Sequence, residues 1–160
     1  MSDFAKSWRL SRQRFVDSVS DLNQSQLNYR IHPGVLTIGE MALHVVGVEI
    51  WFISQLVEKD LNQAEIRLTH AATEGVVNEQ PFPYESEEIG PALVTWAFKR
   101  GEMHLAEDIE SPSEELLAKE IKSALGPMIT GEGALARLAF HPAYHQGQVH
   151  LIRTAPGFPS

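Results

Sequence analysis

The sequence of 160 residues contains no cysteine. That absence excludes disulfide scaffolds, thiolate nucleophiles and cysteine-rich zinc sites. A transition-metal site in this chain must therefore use histidine and carboxylate ligands. A chain of this length buries enough surface to fold without a disulfide or a metal. The length predicts one domain over residues 1–160.

Basic residues are also scarce, with 13 Lys and Arg against 21 Asp and Glu and a formal net charge of -8. Nucleic acids and anionic membranes bind basic surfaces, so we expect neither as a partner. The most apolar stretch, residues 41–57, contains polar side chains and is shorter than the roughly 20 residues that span a bilayer. The first residues lack the apolar core of a signal peptide, which predicts a cytoplasmic protein.

Apolar residues recur mainly at the spacing of amphipathic helices. The first predicted helix has an apolar stripe that runs from Phe4 to Leu22. The second begins at Thr37, where the capping-box spacing of Thr37 and Glu40 marks a helix start, and extends to about residue 59. The third begins between residues 87 and 91 and extends to about residue 109. The last covers roughly residues 133–153.

The segments between these helices are less regular. Residues 60–85 have a mixed pattern, and the Pro-rich residues 80–84 are expected to be irregular. A capping-box pattern at residues 111–114, with Pro112 at the first helical position, predicts a short helix near Leu116. The fold class is therefore all-α, a four-helix bundle with a short extra helix between helices 3 and 4.

Three of the seven histidines fall on core-facing helical stripes. His141 and His145 are four residues apart and therefore stack on one face of the last helix. Leu138 and Ile152 lie on the same face and mark it as buried. His44 shares its face of the second helix with apolar residues, so it also points inward.

Buried imidazoles need partners, because an unpaired polar group in a core costs on the order of 1–3 kcal/mol. One divalent cation bound by all three histidines would supply a partner to each ring, and imidazole is a good ligand for such ions. Three protein ligands leave a coordination position open, as in catalytic sites. The spacing is equally compatible with ordinary core histidines, so both interpretations stay open on spacing alone.

Other polar residues near these positions have two interpretations each. Glu40 caps its helix or orients a metal ligand. Gln148 contacts a metal-bound water or the local backbone. His104 in the third helix is either a boundary residue or a neighbour of the site. The basic residues 9, 12 and 14 predict a solvated face of the first helix.

Two motifs carry a family resemblance. Residues 37–44 read Thr-Ile-Gly-Glu-Met-Ala-Leu-His, and residues 141–149 read His-Pro-Ala-Tyr-His-Gln-Gly-Gln-Val, followed by a short tail of Pro and Gly. Together with the helix order, these motifs resemble the DinB/YfiT superfamily of four-helix bundles. Pro142 departs from the usual motif and predicts a kink between the two histidines.

The resemblance implies a metal site formed by His44, His141 and His145. It implies one divalent transition metal, Zn or Ni first, with Fe or Mn as alternatives. It also implies a homodimer and a small-molecule substrate, with low-molecular-weight thiols such as bacillithiol or mycothiol as candidates.

The function that follows is a metal-dependent enzyme, a thiol-dependent transferase or a hydrolase, that activates water or an exogenous thiol. The alternative is a non-catalytic, dimeric bundle that binds a metal or a small molecule. A third interpretation is a protein-interaction domain with histidines in its core. No catalytic residue can be assigned from the sequence.

Overall fold

The computed structural model describes all residues from 1 to 160 and is mostly helical, with one small antiparallel sheet. The elements in chain order are α1 (Asp3–Asp17), α2 (Gln24–Leu27), α3 (Ile38–Val57), α4 (Gln63–His70), α5 (Pro91–Glu110), α6 (Glu114–Ala118), β1 (Glu120–Lys122), β2 (Met128–Thr130) and α7 (Gly131–Arg153). Strands β1 and β2 pair with each other and form a hairpin.

The four predicted long helices correspond to α1, α3, α5 and α7, and the predicted short helix corresponds to α6. The predicted start of the short helix was wrong. Helix α5 continues to Glu110, and Ser113 rather than Ser111 caps α6. Helix α4 and the hairpin were not predicted. Helix α4 begins at a capping box formed by Asn62 and Glu65, a signal that is present in the sequence.

The long helices pack along one another. Helix α1 packs against α7, α3 packs against α5, and α3 also contacts α4 and α7. Ser11 donates to the Ala139 carbonyl, and Arg153 donates to the Ser18 carbonyl further along both helices. Helices α1 and α7 therefore run in the same direction.

Helix α3 lies at the centre of the structure, and every residue from 38 to 50 is buried. Its 20 residues are long and apolar enough to cross a membrane by length and composition. However, 78% of the relevant window is buried inside the protein, because α4, α5 and α7 pack around it. The apolar character of α3 is thus explained by its position in the core.

One buried ion pair connects α1, α3 and α5. Glu49, 1% exposed, accepts hydrogen bonds from Trp8 Nε1 at 2.9 Å and from Arg12 Nε at 3.0 Å. A Cβ atom at Gly101 would collide with the Glu49 carboxylate, so a larger residue at this position of α5 would displace the ion pair. The prediction of a solvated basic face was wrong for Arg12, which is 7% exposed because it neutralises Glu49.

Candidate metal centre

Helices α3 and α7 bring three histidines together. Thr37 and Glu40 form a capping box that fixes the start of α3, and His44 follows in its second turn. His141 and His145 lie one turn apart on α7 and face α3. Helices α3 and α7 run antiparallel, since His44 meets His141 while the first residue of α7 lies against Leu56 near the end of α3.

The Nε2 atoms of the three histidines point toward one another. The Nε2 atom of His141 lies 3.2 Å from that of His44 and 3.0 Å from that of His145. One nitrogen from each of the three rings lies within 4.8 Å of the other two. His44 and His145 are each 5% exposed, whereas His141 is half-buried and is the most exposed of the three residues.

The outer ring nitrogens of two histidines fix their tautomers. His44 Nδ1 lies 2.8 Å from the carbonyl oxygen of Ala71, which can only accept, so Nδ1 carries the ring proton. His145 Nδ1 likewise lies 2.6 Å from Gln148 Oε1 and donates to it. Both Nε2 atoms therefore present lone pairs toward His141.

A neutral His141 has only one ring proton, but two lone pairs, on His44 Nε2 and His145 Nε2, point at it. A proton on Nε2 pairs with one neighbouring lone pair and leaves the other unpaired. It also leaves Nδ1, which is buried and has no partner, without a hydrogen bond. A proton on Nδ1 instead leaves three lone pairs facing one another. In either tautomer the cluster lacks an electron-pair acceptor.

A divalent cation fits this deficit. Imidazole nitrogens bind Zn²⁺ at about 2.0–2.1 Å, so two nitrogens on one tetrahedral ion lie about 3.3 Å apart. The two contacts of His141 Nε2, at 3.2 and 3.0 Å, are close to that spacing. The outer hydrogen bonds to Ala71 and Gln148 are of the kind that orients metal-binding histidines.

The three rings are neutral at pH 7. Burial lowers the pKa of His44, and the hydrogen bond to the Ala71 carbonyl only partly offsets this effect. Burial, with the neighbouring His44 and His145, lowers the pKa of His141 to about 2. Burial and His44 lower the pKa of His145 to about 4. A metal ion therefore displaces no proton from these nitrogens near neutral pH.

The structure also settles the roles of nearby residues. Glu40 does not contact the cluster: one carboxylate oxygen accepts from the Thr37 backbone N–H and the other from Arg30. The capping interpretation of Glu40 is therefore confirmed. The side chain of Gln148 contacts His145 rather than the local backbone. Its contact with a metal-bound water stays a prediction.

His104 and Pro142 were harder to predict. His104 is 6% exposed, so the boundary interpretation was wrong, and it pairs with Glu65 of α4 rather than with the three histidines.

Helix α7 is continuous through Pro142. The histidines on either side of that proline therefore stay one turn apart, and their Nε2 atoms still meet.

No protein-family model and no curated protein sequence matches the chain. Among solved structures, a conserved protein from Enterococcus faecalis superposes with a TM-score of 0.69 at 16% identity, over 96% of each chain. A DinB-like protein from Bacillus cereus superposes with a TM-score of 0.63 at 17% identity, over 98% of this chain and 94% of the other.

The fold and the cluster define a helical protein with a buried group of three histidines that could hold a metal ion. The fold is DinB-like.

Acid should destabilise the metal-free protein. The folded-state pKa values of the three histidines lie below their ordinary value of 6.5, so the unfolded chain takes up protons first as the pH falls. The contribution of these histidines to the free energy of unfolding is therefore fully present above about pH 6.5 and decreases as the pH falls toward about 4. We expect a lower urea midpoint for unfolding at pH 5 than at pH 7.5, and a smaller difference in His141→Asn. Equal midpoints for the wild-type protein at the two pH values would contradict the assignment.

Proposed function

We propose that His44, His141 and His145 bind one divalent transition metal, Zn or Ni first, with Fe or Mn as alternatives. The observation that carries this proposal is the proton count of the cluster, in which converging lone pairs lack an acceptor. Without a cation, the buried Nε2 atoms of the three rings face one another and do not all have a hydrogen-bond partner. An ion at their centre supplies a partner to all three.

We propose further that the protein is a metal-dependent enzyme that acts on water or an added thiol, as a thiol-dependent transferase or a hydrolase. A divalent ion with three protein ligands supplies Lewis-acid activation of such a nucleophile near neutral pH. The chain has no cysteine, so a sulfur nucleophile must come from a second molecule. His141 is the most exposed of the three ligands, so we place the approach of that molecule on its side of the cluster.

The residues around the cluster hold the ligands and exclude water. Ala71 and Gln148 accept the outer ring protons of His44 and His145, which keeps both Nε2 atoms directed inward. Leu138 of α7 and the apolar residues of α3 on either side of His44 are buried, so the two ligands lie in a largely water-excluded part of the protein. The fixed orientation of both rings favours binding of a cation by these two nitrogens.

One observation favours the alternative, a non-catalytic bundle that binds a metal or a small molecule. The hydrogen-bond partners of the three rings are Ala71, Gln148 and the rings themselves, with no carboxylate among them. A general acid or base is therefore not built into the contacts of the centre. Catalysis in this protein then depends on the ion and on groups of the substrate.

We also propose that the four long helices form a bundle of the DinB type and that two copies associate through α7. Phe140, Tyr144 and Leu151 lie on one outward stripe of α7 and are 62%, 53% and 66% exposed. Gly147 lies on the same stripe with open space around its Cβ position. In an antiparallel pair of α7 helices centred between residues 143 and 144, Phe140 faces Gly147 of the second copy.

The metal proposal predicts about one ion per chain after incubation with Zn²⁺ or Ni²⁺ and removal of excess metal. His44→Ala should lose most of this metal, because it removes the ligand that α3 supplies. His150→Ala is the matched control, since His150 is exposed on α7 and lies outside the cluster. Elemental analysis measures the content. A wild-type protein without bound metal, or equal content in His44→Ala, would contradict the proposal.

The enzyme proposal predicts turnover that requires both metal and a nucleophile. In a screen of hydrolysis and thiol-transfer reactions, we expect a rate that disappears with a chelator and in His44→Ala, and that returns when metal is added to the wild-type protein. A protein that binds metal stoichiometrically but turns over nothing across the screen supports the non-catalytic alternative instead.

The association proposal predicts a molar mass in solution of twice the 17.8 kDa chain mass. Phe140→Glu should give the mass of one chain, because it places a charge in the apolar stripe. Met103→Glu is the control: Met103 is 70% exposed, but it lies on α5. Light scattering after size-exclusion chromatography gives the masses. A wild-type monomer, or dissociation by both variants, contradicts an interface on α7.

A further inference from the structure

We propose that Glu65 and His104 are positioning residues for the metal centre, because their contact fixes α4 and thereby the carbonyl group that orients His44. This inference rests on the proposed metal-binding function of His44. It assigns a role to a fourth histidine, His104, which does not contact the three-histidine cluster.

The connection begins at the carboxyl end of α4. Ala71 is the C-cap residue of α4, and its carbonyl oxygen accepts the Nδ1 proton of His44 at 2.8 Å. No other hydrogen bond holds the outer side of the His44 ring. The position of Ala71 therefore determines both the tautomer of His44 and the direction of its Nε2 atom.

Helix α4 lies directly on the backbone of α3, next to His44. A Cβ atom at Gly47 would lie 2.5 Å from the Leu68 carbonyl oxygen and 3.1 Å from the Ala72 nitrogen. The two helices thus touch backbone to backbone, with no side chain interlocked at that point. An eight-residue helix is too short to be stable by itself, so its tertiary contacts fix where α4 lies. Leu68 is fully buried in the core, but an apolar contact has no preferred direction.

The amino end of α4 supplies a directional contact. Glu65 Oε1 lies 3.0 Å from His104 Nε2 and 3.6 Å from Arg100 Nη1, and both of these residues belong to α5. The other carboxylate oxygen accepts from the Asn62 backbone N–H at 3.0 Å and completes the capping box. Glu65 therefore joins the start of α4 to α5 and closes its first turn at the same time.

The charge state of Glu65 suits this role. Burial alone raises the pKa of Glu65, but the hydrogen bonds from His104 and the Asn62 backbone, with the charge of Arg100, bring the net pKa below its ordinary value. The carboxylate is then ionised at neutral pH and accepts the His104 Nε2 proton.

Stability alone does not account for this pair. With the proton on Nε2, His104 Nδ1 is left buried and without a partner, which destabilises the folded state. An apolar pair of similar volume commonly gives equal or better stability at a buried position. What the polar pair adds is a directional contact of defined length between α4 and α5. That property matters here because Ala71, at the carboxyl end of α4, orients the proposed metal ligand His44.

Two substitutions at His104 separate position from stability. The amide nitrogen of His104→Gln reaches the place of Nε2 and can donate to Glu65, whereas that of His104→Asn is too short. Both variants are polar and of similar volume. Ile109→Val is a stability control, since Ile109 is buried in α5 and the substitution leaves a small cavity without changing a polar contact.

The readouts are the affinity for Co²⁺, its visible spectrum, and the proton resonance of His44 Nδ1 in the metal-free protein. We expect His104→Gln and Ile109→Val to match the wild-type protein. We expect His104→Asn to bind Co²⁺ at least about tenfold more weakly, with an altered spectrum and a broadened Nδ1 resonance.

Affinities and spectra that agree between His104→Asn and His104→Gln overturn the proposal, as does an equal loss in Ile109→Val. If the wild-type protein binds no Co²⁺, the metal function fails, and the Nδ1 resonance still decides the positioning. If His104→Asn does not fold, Glu65→Gln replaces it, since its amide keeps only one acceptor oxygen. Wild-type affinity and resonance in Glu65→Gln then overturn the inference.

Discussion

Three imidazole rings meet in the interior with too few protons to satisfy one another, and much of the surrounding structure serves to hold them there. Ala71 and Gln148 each take a ring proton from outside the cluster, which turns two lone pairs toward His141. An arrangement that keeps lone pairs in contact inside a core is costly without a cation. The metal binding that we propose would remove that cost, and the convergence of the three rings is the constraint on the α3–α7 contact.

The elements around the centre are connected through α3. Helix α3 touches α4 at Gly47 and α5 at Gly101, and in both places a side chain larger than hydrogen would collide with its neighbour. These close approaches place the backbone of α4 near His44 and that of α5 near Glu49. The buried pair of Glu49 and Arg12 then ties α1 to the same core. Ligand geometry and core packing are therefore not independent in this fold.

The sequence predicted the long helices and the three histidines because both depend on periodicity. Helix starts follow from capping boxes, and the facing of His44, His141 and His145 follows from the angle per residue. Periodicity does not indicate which side chains from distant segments contact each other. The pairing of Glu65 with His104 was therefore missed, and the burial of Arg12 against Glu49 was missed for the same reason. The short strands β1 and β2 have little sequence signal, since their stability comes from pairing with each other.

The most direct test of the central claim is X-ray absorption of the zinc-loaded protein, because the imidazole ring gives a distinctive scattering pattern around its metal. The account predicts three imidazole nitrogens at about 2.0–2.1 Å, with at least one further light atom from solvent. A coordination shell with one imidazole or none, or with oxygen ligands alone, would contradict it.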